Sequence, residues 1–122
     1  MRRFYTYIIF ILFASSAFGT TLLVPQDYST IQSGIDASSD GDSILVSSGT
    51  YYENINFNGK NISVIGQDRE TTIINGGENG SVVIFDSGET LSSKLIGFTI
   101  QNGYANGIDD YSFGGGILVI NS

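Results

Sequence analysis

The sequence predicts an all-β fold in which short parallel strands stack into a coil, preceded by one short amphipathic helix. Composition is the first indication, because 16 glycines, a single proline and only 14% charged residues favour strands and tight corners over helices. The second is a succession of short apolar runs with period-two alternation, separated by glycine and asparagine turn residues. The third is the even spacing of these runs, which recur at roughly 20 residues, a period typical of a solenoid.

Residues 43–66 contain what one circuit of such a coil requires. Three predicted strands at 44–46, 55–57 and 62–64 are separated by Gly49 and by Asn58 with Gly59, which are turn residues. Four further runs continue the pattern, at 71–75, 81–86, 94–102 and 116–121. The coil is therefore expected to extend over residues 43–122.

Equivalent positions in successive runs set the predicted repeat. We take as equivalent centres Ile44, Ile62, Val82, Ile100 and Ile120, which follow one another at nearly constant spacing. An antiparallel sandwich also alternates short strands with turns, and Asn58 with Gly59 is typical of a hairpin. The rung-like period, the preceding helix and the scarcity of two-residue turns favour the coil.

The region before the coil is predicted to contain two segments. Residues 1–19 have the basic start, short apolar body and small-residue exit of a secretory signal peptide. A membrane anchor is the alternative, but the apolar body is shorter than the roughly 20 residues that a spanning helix needs. We therefore expect an exported protein, extracellular, cell-surface or periplasmic, without a stable membrane span after cleavage. Residues 20–42 are predicted to form a first strand and a helix.

The predicted helix extends to about residue 38 and is expected to cover the open end of the coil. Ser29 and Gln32 have the spacing of a capping box, while Ile31 and Ile35 lie on one helical face. The first circuit of a coil leaves its apolar interior open to water, so an amphipathic helix there is expected to act as a cap. At the other end, Ser122 directly follows an apolar run, and further rungs are expected after it.

Charge and residue usage exclude several function classes. The formal net charge is −7, with 12 acidic residues against 5 basic ones, which argues against nucleic acid as a partner. The sequence contains no cysteine and no histidine. Thiolate chemistry, sulfur-type zinc sites and histidine-based catalysis are thereby excluded for this stretch.

The chain resembles the amino-terminal section of the right-handed parallel β-helix (pectin-lyase-like) superfamily. The resemblance lies in residues 27–37, 41–46, 49–55 and 60–62 and in Gly66. Pectinesterases and pectate-lyase-like proteins share this opening. The resemblance implies a right-handed parallel β-helix with an N-terminal capping helix. It also implies that catalytic groups lie on later rungs, and no residue here matches a catalytic motif.

The longest polar loop, residues 103–115, holds the predicted site. Asp109 and Asp110 are hard oxygen ligands suited to calcium, and Tyr104 and Tyr111 offer rings that stack on sugar. Calcium needs six or more oxygens, so a solvated insertion is the alternative. No other cofactor site is evident.

Two groups of polar residues are predicted to serve the scaffold. The motif at 49–54 is interpreted as a corner, with Glu53 bonding corner backbone groups. Amide ladders along the coil are expected from Asn54, Asn56 and Asn58 and, further on, from Asn75, Asn102 and Asn121.

Two functions remain open on these grounds. The first is adhesion or polysaccharide binding by an exported or cell-surface protein, with a cell-surface glycan as partner. The alternative is a secreted polysaccharide-active enzyme of the pectate lyase, pectinesterase or glycosidase type, whose catalytic rungs follow Ser122. A self-contained small domain is a third possibility.

Overall fold

The structure is a computed structural model that describes residues 19–105 and 115–120. Over these residues the chain forms short strands in parallel sheets and one short helix. The elements in chain order are β1 (Thr21–Val24), α1 (Ile31–Ala37), β2 (Ser43–Val46), β3 (Gly49–Tyr52), β4 (Ile55–Asn56), β5 (Ser63–Gly66), β6 (Thr72–Asn75), β7 (Val83–Phe85), β8 (Lys94–Ile96), β9 (Thr99–Gln101) and β10 (Ile117–Val119). The predicted leader, residues 1–19, lies outside the described residues except for Gly19.

The strands are arranged in three parallel sheets. Sheet A has the order β1-β2-β5-β8, sheet B the order β3-β6-β9, and sheet C the order β4-β7-β10. From β2 onward the chain contributes one strand to A, one to B and one to C, and this order occurs three times among the described strands. Every described strand pair is parallel, so the alternative of an antiparallel sandwich is wrong for the described residues.

One alternative and one prediction about the connections are wrong. Asn58 and Gly59 do not form a hairpin, because β4 before them belongs to sheet C and β5 after them to sheet A. The equivalence of the chosen centres also fails. Ile44 pairs with Val64 and Val64 with Leu95, so the second step in sheet A is about half as long again as the first. Loops of different lengths between the strands make the spacing of paired strands along the chain irregular. The nearly even spacing of the apolar runs therefore does not show which strands pair.

The strand boundaries also differ from the predicted ones. The single strand expected at 94–102 is two strands in different sheets, and Gly97 between them has φ 79°, a left-handed conformation that favours glycine. The predicted corner at 49–54 contains strand β3. β3 is an edge strand with mostly exposed side chains, so it lacks the apolar alternation by which the other strands were recognised.

The core is a continuous cluster of aliphatic side chains around Phe57. Alternation in sheet A puts Leu22, Ile44 and Val64 side by side in the interior, because these residues are register partners on adjacent strands. Phe57 has no exposed surface, and its ring centroid lies 4.3 Å from that of Phe85. The fully buried cluster therefore joins sheet A to the strands of sheet C.

Helix α1 packs on one end of this core, as its apolar spacing predicted. Ile31 and Ile35 have no exposed surface. Gly34 allows the close approach, because an added Cβ would lie 3.3 Å from Val24 Cγ2 and 3.4 Å from Ile44 Cγ2. The helix contacts β1, β2 and β4, of which β1 is an edge strand of sheet A and β4 an edge strand of sheet C.

The residues that cap α1 differ from the predicted pair. Thr30, not Ser29, is the N-cap, and Ser33 completes the capping box with it. Gln32 instead pairs with the backbone of Asn56 in β4, accepting from its N–H at 2.8 Å and donating to its carbonyl at 3.0 Å. The Gln32 amide thus occupies the edge of sheet C as a neighbouring strand would.

Charged side chains from the connections after β3 and β4 hold both ends of α1. The Glu53 carboxylate accepts from the N–H groups of Ile31 at 2.9 Å and Gln32 at 3.0 Å. The predicted role of Glu53 at its own corner is therefore replaced by a contact with the helix. At the other end Lys60 Nζ donates to the carbonyls of Ile35, Asp36 and Ser38 at 2.7–2.8 Å. Both charges complement the helix dipole.

A close contact between successive strands of the fold gives a first testable prediction. A Cβ on Gly66 would overlap the backbone carbonyl of Gly97, so Gly66→Ala is expected to destabilise the protein by about 1–3 kcal/mol through overpacking. Gly116→Ala is the control, because a Cβ there meets nothing within 4 Å. Chemical denaturation followed by circular dichroism compares the two, and equal midpoints for both variants would contradict the packing of Gly66 on Gly97.

Candidate binding site

The predicted calcium and sugar site is only partly within the described structure. Asp109, Asp110 and Tyr111 lie outside the described residues, so their proposed roles stay predictions. Tyr104 is described, and 54% of it is exposed. Its backbone N–H donates to the Gly80 carbonyl at 2.9 Å, which attaches the start of the loop to the turn before β7.

A second candidate lies on the outer face of sheet A, where sequence reasoning proposed no site. Leu23, Leu45, Ile65 and Ile96 are register partners on four adjacent parallel strands. Their neighbours in the chain point into the core, so alternation directs these four side chains outward. Leu23 is 36% exposed, Leu45 39% and Ile96 50%. We call this row the outer apolar ladder.

Three residues of the ladder, Leu23, Leu45 and Ile65, line a groove of about 380 Å³ at the carboxyl ends of β1, β2 and β5. Gln26, Ser47 and Gln67 supply its polar groups. Gln26 Nε2 donates to Ser47 Oγ at 3.2 Å, and Gln67 Oε1 accepts from the Ser48 N–H at 3.1 Å. The side-chain amide oxygen of Gln26 and the side-chain amide nitrogen of Gln67 have no hydrogen-bond partner among the described residues.

The chemistry of this groove is apolar and uncharged. Among the described residues its lining contains no ionisable side chain, and it offers aliphatic surface together with amide donors and acceptors. General acid–base catalysis needs a titratable group within hydrogen-bond reach of the substrate. None of the described lining residues supplies such a group.

A signal for the groove was present in the sequence. The runs at 22–24 and 44–46 are apolar without interruption, whereas a strand with one solvated face alternates apolar and polar residues. Leu23 and Leu45 are the residues that break the alternation. Continuous apolar runs in two neighbouring strands therefore indicated that the outer face is apolar too.

The ionisable groups with shifted pKa values serve the backbone and form no reactive cluster within the described residues. The N–H groups of Ser39 and Thr20 lower the pKa of Asp42, bonding it at 2.8 and 2.7 Å. Burial opposes ionisation of Glu89, but backbone N–H donors outweigh it and lower the pKa of that carboxyl. Burial, and secondarily the charge of Glu53, raises the pKa of Tyr51.

Other polar residues also have structural partners. Asp40, two residues before Asp42 in the sequence, accepts from the Asn61 N–H at 2.9 Å. The amide of Asn54 donates to the Ser81 carbonyl and that of Asn56 to Asp86, so the expected ladder of stacked amides is not formed by these residues. Within residues 19–105 and 115–120, no group of three or more acidic side chains is placed to hold a metal ion.

Comparison with known proteins found no matching family model, no matching curated protein and no matching solved structure. For the part of the chain that the structure describes, no helix has the length and apolar character needed to cross a membrane.

Proposed function

We propose that the chain forms a right-handed parallel β-helix in an exported protein, and that this protein binds neutral polysaccharide along the outer face of sheet A. The coil is supported by the repeated order of strands, one to each of sheets A, B and C in turn. Right-handed crossovers are the strong preference for parallel strands of one sheet. Export is supported by the leader pattern at residues 1–19.

The class of ligand is inferred from the outer apolar ladder and from the side-chain amides of Gln26 and Gln67 beside it. The C–H faces of a sugar ring pack on aliphatic side chains such as Leu45 and Ile65, while its hydroxyls bond amides such as those of Gln26 and Gln67. A polyuronate is disfavoured, because the chain has net charge −7 and the groove contains no cation to bind carboxylates. A neutral glycan avoids that repulsion. Binding without turnover fits the absence of ionisable residues in the lining.

The proposal is tested with the purified protein and a panel of soluble neutral glucans, galactans and xylans, with polygalacturonate as the anionic comparison. Isothermal calorimetry or affinity electrophoresis is expected to show binding to at least one neutral glycan and none to polygalacturonate. Binding to polygalacturonate alone, or to no glycan of the panel, would contradict the proposal.

The groove is tested separately by Leu45→Asp, which places a charge in the centre of the ladder. Loss of apolar contact and desolvation of the carboxylate are expected to weaken glycan binding at least about tenfold, or about 1.4 kcal/mol. Leu91→Asp is the matched control, because Leu91 is fully exposed and does not line the groove. Equal affinities for the two variants would place binding elsewhere on the protein.

A further inference from the structure

Four described asparagines directly precede a glycine: Asn58, Asn75, Asn79 and Asn102. Their surroundings differ in how far they permit deamidation. In such a pair the glycine backbone nitrogen, after losing its proton to base, attacks the asparagine side-chain amide carbon. The new C–N bond closes a succinimide ring and ammonia leaves. Water then opens the ring to aspartate or isoaspartate. The reaction requires a free glycine N–H, an unbonded amide and room for the backbone to rotate.

Asn58 and Asn75 do not meet these requirements. The N–H of Gly59 donates to Glu89 Oε1 at 2.8 Å, so the nitrogen after Asn58 is held by a carboxylate. The N–H of Gly76 donates to the Gln101 carbonyl at 3.0 Å. Asn75 is itself only 8% exposed, and its Oδ1 accepts from the Gly77 N–H at 2.9 Å. Both attacking nitrogens are therefore unavailable in the folded chain.

Asn102 is restrained by packing. Its backbone carbonyl accepts from the Glu78 N–H at 2.7 Å. Gly103 lies so close to Gly115 that an added Cβ would overlap the Gly115 carbonyl. Rotation of the backbone into the geometry of the five-membered ring is blocked by these contacts.

Asn79 meets all three requirements. It is exposed, and its side chain and the Gly80 N–H have no hydrogen-bond partner among the described residues. A Cβ on Gly80 would meet nothing within 4 Å, so the ring has room to close. We propose that Asn79 is a site of spontaneous deamidation, with the Gly80 backbone nitrogen as the nucleophile.

The product would change the support of the candidate sugar-binding tyrosine. Conversion adds a carboxylate beside Glu78 and, in isoaspartate, an extra carbon to the backbone directly before Gly80. The Gly80 carbonyl accepts from the Tyr104 N–H at 2.9 Å. Deamidation at Asn79 would therefore act on the start of the loop that contains Tyr104. This inference does not depend on the proposed function, because the reaction needs no ligand.

The test is incubation of the intact protein at mildly acidic and mildly alkaline pH, followed by peptide mapping with fragmentation that separates isoaspartate from aspartate. Among the four described asparagines, Asn79 is expected to convert first, and faster at the higher pH because the nucleophile is the deprotonated nitrogen. Asn79→Gln, whose longer side chain disfavours ring closure, is expected to remove this conversion. Retention of the Asn79 amide while Asn58, Asn75 or Asn102 converts would overturn the proposal, as would no conversion at Asn79.

A second variant tests the protecting role of the hydrogen bond. Glu89→Ala releases the Gly59 N–H, while a Cβ on Gly59 would still lie 2.7 Å from the Ser87 carbonyl oxygen. Conversion at Asn58 is therefore expected to rise above its rate in the parent protein but to stay slower than at Asn79, whose own rate stays unchanged. Circular dichroism confirms that the variant is folded. A folded variant in which Asn58 remains as stable as in the parent protein would overturn the explanation for the difference between sites. The ranking in the parent protein is measured independently of this variant.

Discussion

Phe57→Ala is expected to lower the free energy of unfolding by about 3–5 kcal/mol, the cost typical of emptying a buried aromatic site. Phe57 is the largest fully buried side chain of the described residues and packs against the ring of Phe85. It lies directly after β4 of sheet C and belongs to the same buried cluster as Ile44 and Val64 of sheet A. The remaining aliphatic side chains are fixed to separate strands, so they cannot collapse fully into the space.

Urea denaturation followed by far-ultraviolet circular dichroism measures this loss. Phe57→Leu is the matched variant, because it keeps an apolar side chain of intermediate size and should lose less stability. Val119→Ala is the surface control, since Val119 is 59% exposed. A loss below about 1 kcal/mol for Phe57→Ala, within the range of surface substitutions, would show that the ring is not in the core.

Lys60→Met is expected to lower the free energy of unfolding by about 2–3 kcal/mol, because hydrogen bonds to charged groups contribute more than neutral ones. The ammonium donates to three carbonyls at the end of α1, those of Ile35, Asp36 and Ser38. Methionine preserves much of the apolar stem and removes the three donors. The last turn of the helix would then lose both its hydrogen-bond partner and a charge that complements its dipole.

Lys94→Met is the control for the loss of one positive charge. Lys94 is exposed, and its side chain forms no hydrogen bond with the described residues. Thermal and urea unfolding of both variants should show a large loss only for Lys60→Met. Comparable losses would indicate that net charge, rather than the contact with the helix, explains the effect.

Local patterns predicted the parts of the fold that depend on local chemistry. Alternation located strand β2 almost to the residue, and the spacing of Ile31 and Ile35 predicted which face of α1 is buried. The parallel arrangement was also predicted from the pattern of short runs, and the described strand pairs are parallel. These features follow from residues near one another in the chain, so the sequence shows them directly.

Features that depend on distant residues were not predicted. Glu53 and Lys60 bond a helix that lies well before them in the chain, and no local spacing connects them with it. Gly97 divides the run at 94–102 only because its two halves belong to different sheets. The outer groove was missed because Leu23 and Leu45 were treated as part of apolar runs and not assigned to a face.

Each strand of the described sheets pairs in parallel with the next strand that the chain contributes to the same sheet. Nuclear Overhauser measurements on the isotope-labelled protein test this directly. We predict parallel cross-strand contacts between the backbones of Leu45 and Ile65 and between those of Tyr51 and Ile74. Close antiparallel contacts between residues 55–57 and 62–64, as in a hairpin around Asn58 and Gly59, would contradict the account.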